Sequence, residues 1–144
     1  MPTPLHFKFK QNLPGLKKEI VYSRNHYDFR ALSMKNEKKD PRTIRIFCIG
    51  ASTTMQDNQN TVETWSGILE QRLNNAFFSK GVNIEIAAAG SGGDKVWRGY
   101  RFCKYRLPRF DADIVITLFG INDLAWQGGA NYFLALFVVL FYYY

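Results

Sequence analysis

The sequence predicts an α/β fold in which helices cover both faces of a parallel sheet. Three short apolar runs of strand length are separated by two segments with helical periodicity. The runs are mainly apolar, which is typical of parallel strands buried on both faces. The order strand–helix–strand–helix–strand therefore predicts a doubly wound unit.

The strands and the first helix are delimited by short signals. Strands are predicted over residues 44–49, 82–89 and 114–119. Asn60 and Glu63 resemble a capping pair at the start of the first helix, and Lys80-Gly81 ends it. Its apolar residues recur at helical spacing: Trp65, Ile68, Leu69, Leu73, Ala76 and Phe77.

The second helix is predicted to begin at a cap formed by Asp94 and to stop at Pro108. At 100° per residue, one narrow sector holds the apolar residues Val96, Tyr100, Cys103 and Leu107. The opposite sector holds the basic residues Lys95, Arg98, Arg106 and Arg109. We interpret the basic sector as a solvated face.

Charge and hydropathy divide the 144 residues into three regions. Residues 1–42 hold ten Lys/Arg and four acids, and are interpreted as a basic leader with little regular structure. The predicted domain is a partial one over residues 43–126. Residues 127–144 form an apolar tail, which favours a buried element and suggests a truncated or frame-shifted product. The leader holds no recognisable nucleic-acid motif, so no nucleic-acid partner is expected.

Composition excludes several classes of protein. With 47% hydrophobic and 22% charged residues, the chain is neither mainly disordered, nor collagen-like, nor a coiled coil. Cys48 and Cys103 have no spacing typical of metal ligands, and neither a metal nor a cofactor is expected. No signal-peptide pattern is visible, which predicts a cytoplasmic protein, or an extracytoplasmic one if the N-terminus is incomplete.

Small and polar residues follow each predicted strand. Ser52 comes after the first strand, Gly93 lies in the loop after the second, and Asn122 follows the third. Ligands of parallel sheets bind beyond the carboxyl ends of the strands, so these three residues are expected on one rim. Each loop taken alone also fits a polar turn or a helix cap.

The three loops together hold the parts of a nucleophilic site. A serine on a tight turn after a strand is exposed, and a glycine-rich loop lets backbone N–H groups approach a ligand closely. An asparagine adds a neutral side-chain donor. A nucleophile with three such donors is suited to acyl transfer through an oxyanion.

These segments resemble the SGNH/GDSL-type hydrolases over roughly residues 43–126. Residues 49–54 (Ile-Gly-Ala-Ser-Thr-Thr) are similar to the first block of that family, 88–94 to the second, and 119–123 (Phe-Gly-Ile-Asn-Asp) to the third, which is the most specific. The resemblance implies a flavodoxin-like three-layer α/β/α fold, here incomplete at the C-terminus. It also implies hydrolysis of acyl or acetyl esters of carbohydrates or lipids.

By this resemblance, Ser52 would be the nucleophile, and the oxyanion hole would combine the N–H groups of Ser52 and Gly93 with the Asn122 side chain. Gly90 is the alternative to Gly93 as the key glycine of the second block. Residues that flank these three are candidates for substrate binding: Thr53, Asp94, Asp123 and Trp126. The family implies no metal and no cofactor.

The chain departs from the family in its general base. The family's base is a histidine in a late Asp-x-x-His block, but the two histidines here, His6 and His26, both precede Ser52. A serine without a base is a weak nucleophile, and loss of the base lowers turnover about a million-fold in a serine protease where it was measured. The chain alone is therefore expected to be inactive.

Two other classes of function stay open. Residues 90–93 precede a helix and are compatible with phosphate binding in a nucleotide-binding module, although Lys95 stands where the dinucleotide fingerprint needs its third glycine. A membrane-associated protein would contact anionic lipid with its leader and insert its tail. The acyl group, the alcohol and the oligomeric state are not predicted.

Overall fold

The fold comes from a computed structural model that describes residues 6–9, 20–124 and 136–141. The strands are β1 (His6–Phe9), β2 (Ile20–Ser23), β3 (Arg30–Ala31), β4 (Thr43–Gly50), β5 (Asn83–Gly90), β6 (Ile114–Phe119) and β7 (Leu136–Phe141). The α-helices are α1 (Ser52–Met55), α2 (Trp65–Phe77), α3 (Val96–Tyr105) and α4 (Ile121–Leu124). Short 3₁₀ helices cover Thr61–Glu63, Phe78–Lys80 and Leu107–Phe110.

The main sheet has the strand order β3-β5-β4-β6-β7. Its centre, β5-β4-β6, is parallel, whereas β3 and β7 pair antiparallel at the two edges. The predicted strands match β4, β5 and β6 to within one residue at each end, and the mixed α/β class is confirmed. β1 and β2 form a separate antiparallel pair.

A helix packs against each face of the parallel strands. α2 lies on the face that holds Ile46, Cys48 and Ile86, and the apolar side chains it contributes are Trp65, Leu69, Leu73 and Phe77. On the opposite face, α3 contributes Phe102 and Cys103 to a cluster of interlocking rings that includes Phe29, Phe47 and Phe110. Burial of both faces explains why these strands are mainly apolar, and the buried Arg45 of β4 is paired with Glu85 of β5 at 2.7 Å.

Two predicted core positions of α3 are exposed. Val96 and Tyr100 are 46% and 62% exposed, and the helix turns Gly99, Phe102 and Cys103 toward the sheet instead. The reason is a close approach: a Cβ on Gly99 would lie 2.5 Å from the Phe119 ring. The helix therefore contacts the sheet through Gly99. Hydrophobic periodicity cannot predict this contact, because glycine has no apolar side chain.

Residues on both sides of the predicted boundary at residue 42 pack into one core. Phe29 and Met34 are buried in the α3-side cluster, and β3 extends the main sheet. Residues 20–42 therefore belong to the core of the domain and are not a separate leader. Few of these residues lie in strands, but their scattered large side chains complete the core.

Candidate functional site

The candidate site lies at the carboxyl edge of the parallel strands. Gly50 of β4 pairs in register with Gly90 of β5 and with Leu118 of β6, so the loops that follow these strands leave from the same edge. Backbone hydrogen bonds from Ser91 N to Gly50 O (3.2 Å) and from Ala51 N to Leu118 O (3.4 Å) join the loop starts. The three predicted loops therefore meet as expected.

Two glycines let the one-turn helix α1 sit directly on this edge. A Cβ on Gly50 would lie 2.1 Å from Thr54 Oγ1 and 2.6 Å from the Leu118 carbonyl oxygen. A Cβ on Gly90 would lie 2.3 Å from the backbone nitrogen of Met55. Both positions admit glycine alone without a shift of backbone, and together they fix the height of α1 above the sheet.

Ser52 is the first residue of α1, and its side chain is exposed. The α1 turn is closed by hydrogen bonds from Thr54 N and Met55 N to Ala51 O. Neither the Ser52 N–H nor its hydroxyl has a hydrogen-bond partner among the residues that the structure describes. Within the described residues, Ser52 thus presents an unpaired hydroxyl and an unpaired N–H donor at the rim.

Thr54 packs α1 against the edge of the sheet. Its side chain is fully buried, and its hydroxyl has no hydrogen-bond partner within the described residues. The hydroxyl occupies the space that Gly50 leaves open. Thr53, the neighbour predicted to bind substrate, is exposed, and its carbonyl oxygen accepts a 3.1 Å hydrogen bond from Trp65 Nε1.

Gly93 lies in a tight turn closed by a 3.3 Å hydrogen bond from Asp94 N to Ser91 O. Its φ of +75° belongs to the left-handed region, which favours glycine. The Gly93 N–H has no acceptor among the described residues, and nothing lies within 4 Å of the position of a Cβ. The turn therefore leaves a second backbone donor and open space beside it.

Asn122 connects the loops after β5 and β6. Its Nδ2 donates a 2.9 Å hydrogen bond to the carbonyl oxygen of Asp94. A primary amide carries two N–H donors, and the described residues occupy one. The other remains for a ligand, and the existing bond fixes the plane of the amide.

Asp94 is predicted to cap α3, but the carboxylate that caps the helix is that of Asp123. Lys95 is the N-cap position, and no side-chain cap comes from it. The Val96 N–H instead donates to both carboxylate oxygens of Asp123, at 3.3 and 3.2 Å. Asp94 forms a 2.6 Å ion pair with Arg98. Asp123 and Asp94, two candidate substrate-binding residues, are thus engaged in holding the loop and helix.

Two arginines that the sequence analysis does not assign to the site hold its backbone in place. Arg30 is 2% exposed and donates from Nη1 to Met55 O (2.8 Å) and from Nη2 to Gln59 O (2.6 Å), so it holds the segment that follows α1. Burial lowers the pKa of its guanidinium. Arg24 Nη2 donates to the carbonyl oxygen of Gly90 at 3.1 Å. Arg24 and Arg30 lie in the segment interpreted as a basic leader, and no sequence pattern there indicates a contact with the site.

No imidazole contacts Ser52 in the described part of the chain. The His26 ring contacts the Tyr27 ring at a tilt of 46°, with centroids 3.7 Å apart, and Tyr27 packs against Phe110 on the α3 side. The side chain of His6 and all of Trp126 lie outside the described residues. The Cys48 thiol is fully buried, and its burial raises its pKa, so it is not a replacement nucleophile.

An open cavity of about 320 Å³ lies between α3 and the sheet, next to the loop that carries Gly93. Its lining combines Ile49, Ala89, Phe102 and Phe119 with Asp94, Trp97, Arg98 and Arg101, and it includes none of Ser52, Gly93 and Asn122. The described residues include no cluster of three or more His, Cys, Asp or Glu side chains arranged to hold a metal ion. The site can therefore offer a hydroxyl and neutral N–H donors, with a small cavity of mixed polar and apolar lining nearby.

Comparisons with protein-family models, with curated proteins and with solved structures find no match to this chain. Within the described residues, none of the helices has both the length and the apolar character needed to cross a bilayer.

Proposed function

We propose that the rim formed by Ser52, Gly93 and Asn122 is the acyl-transfer part of an SGNH/GDSL-type ester-hydrolase site. The observation that carries the proposal is the set of free donors on three loops at one edge of the sheet. The N–H groups of Ser52 and Gly93 and the second N–H of the Asn122 amide have no partner among the described residues. Neutral donors of this kind stabilise an oxyanion.

The proposal includes a flavodoxin-like arrangement of layers. Parallel strands at the centre, with α2 on one face and α3 on the other, support it. The substrate class proposed is an acyl or acetyl ester, because a hydroxyl nucleophile beside neutral N–H donors suits acyl transfer.

The proposed reaction begins when Ser52 Oγ attacks the ester carbonyl. The Oγ–H proton must leave as the C–O bond forms, and the carbonyl oxygen becomes the oxyanion that the three donors bind. Collapse of this intermediate expels the alcohol and leaves an acyl group on Ser52, which water then removes. The described residues place no base beside Ser52, so the isolated chain is proposed to stall at the first proton transfer.

Chemical rescue tests this proposal. The chain is incubated with p-nitrophenyl acetate, whose leaving group needs no protonation, and with 2-methylimidazole, a base too hindered to be a good nucleophile. Peptide mapping by mass spectrometry then measures acetylation of Ser52. The expected result is acetylation that rises with the concentration of the free base. Asn122→Ala should slow it about a hundredfold or more.

Two variants make the result specific. Ser52→Ala should remove acetylation from the rim, whereas Ser91→Ala, which deletes a hydroxyl from the neighbouring loop, should retain acetylation of Ser52. The proposal fails if Ser52 acquires no acetyl group at any concentration of the base, or if Asn122→Ala and the parent chain are acetylated at equal rates.

A further inference from the structure

The outward face of α3 is basic. Residues 96–105 hold three Lys/Arg (Arg98, Arg101 and Lys104) and no Asp or Glu. The helix is fixed to the sheet through Gly99, Phe102 and Cys103, and this attachment leaves the remaining side chains on the surface. The basic residues therefore stand on a rigid support.

Large apolar and aromatic side chains are exposed among these cations. Four on this ten-residue helix are at least 46% exposed: Val96 (46%), Trp97 (53%), Tyr100 (62%) and Tyr105 (66%). Residues 96–105 contain no Ser, Thr, Asn or Gln, so beside its cations this face presents apolar and aromatic side chains. Exposed aromatic clusters of this kind mark interaction surfaces.

Cations and rings are interleaved. The guanidinium carbons of Arg98 and Arg101 lie 5.9 and 5.8 Å from the centre of the Trp97 ring. Lys104 Nζ lies 5.8 Å from the Tyr100 ring and 5.3 Å from the Tyr105 ring. Arg98 is paired with Asp94, whereas Arg101 and Lys104 have no carboxylate partner in the described part of the chain. Their charge is available to an anionic partner.

We propose that this exposed face of α3 docks the protein onto an anionic phospholipid surface. Trp and Tyr are the side chains enriched at the lipid–water interface, and Lys and Arg are attracted to anionic headgroups. In this arrangement, Arg101 and Lys104 contact lipid phosphates, and the rings of Trp97 and Tyr100 lie at the level of the headgroups.

The shape of the face favours a lipid surface over a nucleic acid. Proteins that bind single strands surround the backbone with a basic groove, whereas the exposed arc of α3 is the convex surface of one helix. Base reading in a duplex uses amide and hydroxyl side chains as well as arginine, and residues 96–105 have no Asn, Gln, Ser or Thr. A convex aromatic and cationic face fits a planar interface.

Vesicle binding tests the proposal with the full chain. Co-sedimentation is measured with vesicles of phosphatidylcholine alone and with vesicles of equal parts phosphatidylcholine and phosphatidylglycerol. Binding is expected only to the anionic vesicles. It should weaken as salt rises, since the Debye length falls from about 10 Å at 0.1 M to about 3 Å at 1 M.

Two double variants with the same net charge locate the surface. Arg101→Gln with Lys104→Gln removes the two unpaired cations of α3, and the partition coefficient should fall about thirtyfold, at roughly fivefold per cation. Lys35→Gln with Lys80→Gln removes two exposed cations elsewhere and should leave the partition coefficient within about threefold of the parent value.

Residues 136–144 are identical in both variants, so any contribution of that segment cancels. Ser52→Ala should bind as the parent does, which separates this test from that of ester hydrolysis.

Three outcomes would overturn the proposal. The first is equal binding to neutral and anionic vesicles. The second is an equal loss in the two double variants, because the attraction would then follow net charge and not the face of α3. The third is binding of a single-stranded oligonucleotide that Arg101→Gln with Lys104→Gln abolishes, without any binding to anionic vesicles.

Discussion

Asn122 Nδ2 donates a 2.9 Å hydrogen bond to the carbonyl oxygen of Asp94, and this bond joins the loops that flank the central strand β4 on its two sides. Ser52 follows β4 and therefore lies between the two loops that the bond connects. The amide that is proposed to bind the oxyanion is thus also the residue that fixes the distance between the flanking loops. Its structural and chemical roles can be separated by experiment.

Asn122→Ala should lower the free energy of unfolding by about 1 kcal/mol, the usual net contribution of one hydrogen bond. Urea unfolding followed by circular dichroism measures the change. Ser52→Ala, which removes an exposed hydroxyl without a partner among the described residues, should alter stability by less than about 0.5 kcal/mol. Equal effects of the two substitutions would contradict a linking role for Asn122.

Asp123→Ala should also destabilise the protein by about 1 kcal/mol, because it removes the carboxylate that caps the Val96 N–H at the start of α3. Asp94→Ala is the matched control, since it removes only the partly exposed ion pair with Arg98 and should change stability by less than about 1 kcal/mol. Thermal unfolding of both variants decides between them. A larger loss for Asp94→Ala would restore Asp94 as the main capping residue.

The sequence predicts the parallel centre of the sheet well and its surroundings less well. Apolar runs define β4, β5 and β6, because strands buried on both faces leave a local signal. The contribution of Phe29 and Met34 to the core has no such signal, since isolated apolar residues in an irregular segment show no periodicity. For the same reason, nothing in the sequence distinguishes the buried Arg30 from the solvated cations around it.

The rim illustrates the same division. The positions of Ser52, Gly93 and Asn122 follow from the strand order, because parallel strands end at one edge. The assignment of Asp123 as cap depends on how α4 is placed against α3, which is a long-range contact. A sequence pattern could name Asp94 only because it lies next to the helix.

Gly50→Ala should be severely destabilising. The new Cβ would lie 2.1 Å from Thr54 Oγ1 and 2.6 Å from the Leu118 carbonyl oxygen, so backbone would have to move. A loss of about 1–3 kcal/mol or more is expected. Gly92→Ala supplies the matched control, because nothing lies within 4 Å of its Cβ position. Chemical denaturation should show little change for Gly92→Ala, and equal losses in the two variants would contradict the close packing of α1 on Gly50.

Glu70 should make stability depend on pH. It is 3% exposed on α2, and burial raises the pKa of its carboxyl above the ordinary value of 4.5, although Ser33 Oγ donates a hydrogen bond to it. The fold thus favours the protonated form, so its contribution to stability is full below pH 4.5 and is lost as pH rises through the raised pKa.

Glu70→Gln tests this dependence. The free energy of unfolding is measured from pH 4 to pH 8 for the parent chain and the variant. The parent chain should lose stability relative to Glu70→Gln as pH rises. Asp40→Asn, which alters an exposed carboxylate, controls for the change in net charge. A difference between the parent chain and Glu70→Gln that stays constant over this range would contradict the raised pKa.

Arg30→Lys should make residues 56–61, the segment that follows α1 and Ser52, more mobile. Arg30 holds Met55 O and Gln59 O with separate nitrogens, and its guanidinium lies 4.7 Å from the centre of the Tyr22 ring. A lysine ammonium cannot reproduce this planar set of donors, and charged hydrogen bonds contribute about 1.5–3 kcal/mol each. Hydrogen exchange should therefore accelerate at the amides of residues 56–61. Base-assisted acetylation of Ser52 should slow in parallel.

Arg72→Lys is the matched control for this substitution, because Arg72 is exposed on α2 and the change keeps its charge. Exchange at residues 56–61 should be the same in Arg72→Lys as in the parent chain. If Arg30→Lys accelerated exchange throughout the sheet equally, it would lower global stability without acting on this segment. Faster exchange confined to residues 56–61, together with slower acetylation, would show that a buried arginine positions the turn that carries Ser52.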